Sequence, residues 1–97
     1  MNEEIFKSVA EQMMAGSSVE LDGTKIPIKR TSSQRLKMVT FTADGEEFTA
    51  IEQNPEKPSR WGKLAHDGHR VVQIKDVKSN RFVAVVVDGE VKKYGSR

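Results

Sequence analysis

The 97-residue chain has no cysteine, only three prolines, and a single tryptophan and tyrosine beside four phenylalanines. Without cysteine there can be no disulfide, no thiolate catalysis and no Cys-based zinc site. The longest purely apolar run, residues 82 to 87, falls far short of the ~20 residues that a membrane helix needs. The stretch MNEEIFKSVAEQMMAG starts acidic and lacks the positive start and apolar centre of a signal peptide, so no export signal is expected. A soluble cytoplasmic protein is the expectation. Equally missing are a Gly-x-Ser-x-Gly elbow, a Walker loop and a dinucleotide fingerprint, and Thr31, Ser32 and Ser33 read as loop chemistry rather than as nucleophiles. No enzyme activity and no cofactor are expected.

What is present builds a single domain. At 36% apolar and 31% charged the chain is polar, but its apolar residues cluster, which argues for a fold with one core rather than for disorder. Four of the five Asp residues are followed by Gly: Asp22-Gly23, Asp44-Gly45, Asp67-Gly68 and Asp88-Gly89. Three of these pairs separate β-like runs and predict type I′ hairpins, since both central positions need positive φ. The fourth follows a helical pattern, where Gly stops the helix.

The turn at Asp44-Gly45 predicts a register. Ala43 faces Glu46, Phe41 faces Phe48, Val39 faces Ala50 and Lys37 faces Glu52, an apolar face that ends in an ion pair; the other face carries Thr40 with Thr49 and Met38 with Ile51. The same rule at Asp88-Gly89 pairs Val86 with Val91, Ala84 with Lys93, Val85 with Lys92 and Val83 with Tyr94. Residues 83 to 87 are apolar on both faces, as in a central strand. Pro27 cannot donate a ladder hydrogen bond and places its strand at an edge.

Two segments have helical spacing. Residues 3–15 put Ile5, Phe6, Val9, Met13 and Met14 on one stripe, with Asn2 as candidate N-cap. Residues 58–66 place Trp61, Leu64 and Ala65 on one side, with Gly62 as a weak point. The expectation is an α+β domain over residues 1–97, with about seven mostly antiparallel strands in a curved sheet or small open barrel. Its parts are the helix 3–15, hairpins 18–30 and 36–53 joined through 31–35, a short helix 58–66 between strands 4 and 5, and a three-strand meander 69–94.

Charge is segregated along the chain. Residues 1–24 carry one Lys against five acids, 25–43 five bases and no acid, 44–56 five acids and no base, and 57–97 ten bases against four acids. Basic residues Lys29, Arg30, Arg35, Arg60, Lys63 and Arg70 could form an edge able to meet phosphates, with Trp61 as a stacking aromatic. Against that stand mutual neutralisation of neighbouring strands and the helical spacing of Trp61, which suits a core anchor. His66, Asp67 and His69 suggest a metal or acid-base site only if the rings converge, and a helix end at Gly68 separates them.

A binding module is therefore the expected class. The first reading is a protein-interaction or self-associating domain that uses the N-terminal helix or a free strand edge. The second is single-stranded nucleic acid or RNA binding through a sheet face and the basic edge with Trp61. A His-dependent enzyme or metal site is the remote third.

Overall fold

Three Asp-Gly pairs reverse the chain as their chemistry requires. Asp22, Asp44 and Asp88 have φ of 49°, 52° and 52°, followed by glycines at 78°, 78° and 86°, the two positive values of a type I′ turn. Around these turns the computed structural model, which describes residues 3–93, places eight strands and two helices. Helix α1 (Glu3–Ala15) is followed by β1 (Ser18–Leu21) and β2 (Thr24–Pro27), which form a separate two-stranded sheet. The remaining strands are β3 (Lys29–Arg30), β4 (Lys37–Ala43), β5 (Glu46–Glu52), β6 (Val71–Asp76), β7 (Arg81–Val87) and β8 (Glu90–Lys93). They form one antiparallel six-stranded sheet in chain order. The α+β class holds, but the sheets stay open.

The count of seven strands is corrected to eight because the second strand does not run through to residue 30. Ile28 N–H makes the last bond to the first sheet, at the Ser17 carbonyl. From Lys29 the chain changes partner and pairs with β4. In consequence the short helix α2 (Arg60–His66) lies between the fifth and sixth strands, not the fourth and fifth. It also begins at Arg60 rather than at residue 58, because Ser59 is the N-cap.

The β4–β5 register is the one expected, from Met38 opposite Ile51 to Ala43 opposite Glu46. At β7–β8, Val86 meets Val91, Val85 meets Lys92 and Ala84 meets Lys93; the expected Val83–Tyr94 pair and the Asn2 cap lie outside the described residues. The ion pair expected between Lys37 and Glu52 is replaced by two other contacts. Glu52 Oε1 accepts from the Lys37 backbone N–H at 3.0 Å, and Lys37 Nζ donates to the Met13 carbonyl at 3.0 Å. A lysine at the last turn of α1 meets the unsatisfied carbonyls there and the negative end of the helix dipole.

The main core lies between α1 and one face of the large sheet, called here the inner face. Phe6, Val9, Ala10 and Met13 of α1 are buried, as are Val39, Phe41, Phe48, Ala50, Ile74 and Val86 beneath them. Phe6 stands edge-on to both members of the Phe41–Phe48 cross-strand pair, with centroids 6.1 and 5.0 Å away. Edge-to-face pairs contribute roughly 0.5–1.5 kcal/mol beyond area burial. Val19 brings the small sheet into the same core. Gln12 fastens it: its amide donates to the Glu20 carbonyl at 3.2 Å and its carbonyl accepts from Glu20 N–H at 2.8 Å.

One irregularity governs the opposite, outer face. Between Ile74 and Lys75 the β6–β7 register shifts, so that Ile74 pairs with Ala84 but Lys75 pairs with Phe82. Val83 is the extra residue of this bulge. Strict alternation would set Phe82 on the side of Ala84 and Val86, in the core; the extra residue turns it to the outer face.

Candidate functional site

The segment from Glu56 to His69, richest in distinctive side chains, folds as a capped two-turn plug. Ser59 Oγ accepts from Gly62 N–H at 3.1 Å, satisfying one of the free donors at the start of α2. Gly62 is buried, and a Cβ there would run into the Lys57 carbonyl, so the residue that weakens the helix is the one that lets it close on its own approach. At the far end Gly68 N–H bonds the Ala65 carbonyl and His69 N–H the Leu64 carbonyl, at 3.1 and 3.0 Å, with Gly68 at φ 100°. These are the two bonds of a Schellman stop.

This plug decides where the candidate residues point. Trp61, Leu64 and Ala65 are half-buried, while Arg60, Lys63 and His66 are exposed. The Arg60 guanidinium lies 4.9 Å from the centroid of the Trp61 ring, a cation–π contact. Trp61 is thus neither a fully enclosed anchor nor a bare platform. His66 and His69 do not converge: the Schellman reversal lies between them, and His69 Nδ1 is 2.7 Å from Asp88 Oδ2 in the β7–β8 turn. Among the described residues no three His, Cys, Asp or Glu side chains are grouped to hold a metal ion.

The basic candidates fall at one end of the large sheet, because antiparallel pairing brings Arg30 opposite Lys37, Glu52 opposite Val72 and Val71 opposite Val87. They form two groups there. Lys29 and Arg30 lie on edge strand β3, where Arg30 Nη1 donates to the Arg35 carbonyl at 2.7 Å; Arg35 itself adopts φ 58°. Arg60, Lys63 and Arg70 surround β6, three strand spacings away, roughly 14 Å. Arg70 is exposed, and its backbone N–H donates to Asp88 Oδ1 at 2.9 Å.

The aromatic that sequence reasoning passed over is Phe82, which is 45% exposed on the outer face. Lys75, opposite it on β6, holds its ammonium 5.6 Å from the ring centroid. Next to it run the paired Thr40 and Thr49, whose hydroxyls are 3.3 Å apart, and then Met38 and Ile51. Farther along, Val71 and Val85 are buried on this face, toward the end where α2 meets β6. A shallow groove opens beside Phe82, walled by Gln34 and Leu36 on one side and Asn54 and Lys57 on the other, with Ile51 and Gln73 in its floor. No pattern in the residues around Phe82 announces this placement; only the bulge produces it.

The helix and the edges offer less. The apolar stripe of α1 is consumed by its own sheet. Edge strand β3 has two residues and edge strand β8 displays Glu90 and Lys92, the kind of short, charged edge that discourages strand addition. No protein-family model matches the chain, and no curated protein or solved structure is significantly similar to it, so the function has to be argued from this geometry.

Proposed function

We propose that the protein is a binding domain, not an enzyme, and that the outer sheet face takes single-stranded nucleic acid. The observation that carries this is Phe82, an exposed aromatic near the start of β7 on the outer sheet face, with the Lys75 ammonium beside it. A single strand offers what such a site recognises: unpaired bases that stack on an aromatic ring, and phosphates that meet cations. Further cations stand toward the plug at the end of this face, on Lys57, Arg60 and Lys63, and Lys29 and Lys92 share its parity with the acids Glu47 and Glu90, whereas α1 and the small sheet, which pack on the inner face, carry Glu3, Glu4, Glu11, Glu20 and Asp22 against Lys7 and Lys25. The two layers thus differ in charge, which gives an anionic ligand one preferred side.

Association with a protein partner would use α1 or a free edge. The buried stripe of α1 and the short, charged edges favour the sheet face instead.

The test is titration of single- and double-stranded oligonucleotides, followed by fluorescence anisotropy, at about 50 mM and about 200 mM salt. The expected result is single-strand binding that weakens as salt rises, and a loss of about tenfold or more in affinity in Phe82→Ala, the scale of one stacked base. Absence of binding at low salt, or equal affinity in Phe82→Ala, would sink the proposal.

A further inference from the structure

The groove beside Phe82 differs in kind from the rest of the outer face, because four of the six polar residues that line it are side-chain amides. Gln34, Gln53, Asn54 and Gln73 all line it. An amide carries a donor and an acceptor side by side, which is the pattern along the edges of a nucleobase and is how Asn and Gln read bases. Phosphate and sugar alone would be served by lysine and serine.

The Gln53, Asn54 and Gln73 amides are held by hydrogen bonds. Gln53 is only 7% exposed; its Nε2 donates to the Asn54 carbonyl at 3.0 Å, and its Oε1 accepts from Gln73 Nε2. Gln53 is thereby spent on orienting Gln73. Asn54 Oδ1 accepts from Glu56 N–H at 2.9 Å, which fixes that amide and assigns its Nδ2 as the donor. Gln34 rides on a closed turn, in which Thr31 Oγ1 accepts from Leu36 N–H at 2.9 Å and the Thr31 and Leu36 backbones bond to each other. The one carboxylate in the lining, Glu52, is engaged by the Lys37 N–H. Lys57 at the rim supplies a cation for the adjoining phosphate, and Leu36 and Ile51 supply apolar contact for a flat ring. Held polar groups of this sort discriminate, since a base that fails to match leaves them unpaired.

We infer that this groove is a base-reading pocket: one nucleotide of the single strand next to the base stacked on Phe82 enters it and is selected by its hydrogen-bonding edge. The inference rests on the nucleic-acid reading above and adds selectivity to it.

The test compares oligo(A), oligo(C), oligo(U) and an abasic oligomer of the same length, binding to wild type, Gln34→Ala, Asn54→Ala and Phe82→Ala. Urea denaturation confirms that each variant is folded. Wild type is expected to prefer one base by about tenfold, the scale of one well-formed pair of hydrogen bonds to a base. Gln34→Ala and Asn54→Ala should each bring the preferred oligomer down toward the level of the others. Phe82→Ala should weaken all three base-containing oligomers alike. If Phe82→Ala weakens them but wild type binds all three equally, the pocket inference fails while the nucleic-acid reading stands. If the preference survives in both amide variants, the pocket inference also fails. If the abasic oligomer binds as tightly as the rest and Phe82→Ala has no effect, both fail together.

Discussion

His69 Nδ1 lies 2.7 Å from Asp88 Oδ2, tying the chain just beyond α2 to a hairpin turn 19 residues further on. The other Asp88 oxygen accepts from Arg70 N–H, and Asp88 N–H donates to the Arg70 carbonyl at 2.8 Å. One exposed aspartate thus holds the start of β6 and the end of β7 in register.

These bonds favour the ionised carboxylate. The Arg70 N–H, first, and the His69 ring, second, hold the Asp88 carboxyl below its ordinary value. A carboxyl depressed in the folded state contributes stability that is complete above the ordinary value near 3.8 and is lost as pH falls through the lower, folded value. The urea midpoint of wild type should therefore decline from about pH 5 to about pH 3 more steeply than that of Asp88→Asn, which keeps a side chain tolerant of the turn's positive φ. Identical acid profiles for the two proteins would show that the contact adds nothing.

Gly62→Ala is expected to go against helix propensity. Alanine in a helix interior is ordinarily better than glycine by about 1 kcal/mol. At this position the added methyl meets the Lys57 carbonyl, so the variant should be less stable by about 1–3 kcal/mol. Chemical denaturation reads the sign directly, and a stabilised variant would mean that the 57–62 approach can relax.

Phe6 and Phe82 should behave as opposites. Phe6→Ala empties the centre of the aromatic trio beneath α1 and should cost about 3–5 kcal/mol. Phe82→Ala removes an exposed ring and should stay within about 0.5 kcal/mol of wild type. A large stability loss at Phe82, measured by urea unfolding, would assign the ring to packing instead of to a ligand.

Gln12→Ala should loosen the small sheet without unfolding the domain. Loss of the two bonds to Glu20 should cost about 1 kcal/mol. Faster amide exchange confined to β1 and β2 is the expected readout; uniform acceleration would contradict a local clamp.

The hairpins were legible because two independent constraints agreed at each. Asp-Gly set the turn, and the β4–β5 register then made both faces sensible at once, with Phe41 beside Phe48 and Thr40 beside Thr49. The stripe of α1 was legible for the same reason, as apolar spacing agreed with Glu3 and Glu4 in its first turn. What escaped were changes of partner that leave no mark in local pattern. Ile28 is as β-like as its neighbours, yet the chain switches sheets there. Lys37 sits opposite an acid in sequence register, but the carbonyl end of α1, packed from 24 residues away, outcompetes it. Phe82 has the parity of a core residue and is displaced by a bulge whose cause lies in two strands together. The basic residues stand out in the sequence, but their division into two groups at one end of the sheet depends on strand order, which charge along the chain does not reveal.

The packing of α1 across β4, β7 and β8 also constrains the order of assembly. Hairpins β4–β5 and β6–β7 need only neighbouring residues and can form on a microsecond scale. The helix near the start of the chain finds half of its floor only in strands near the far end, so its docking closes the longest loop and carries the largest entropic cost. During synthesis, Phe6, Val9 and Met13 would stay without their full cover until β8 had left the ribosome, and the helix made first would be the last piece to settle.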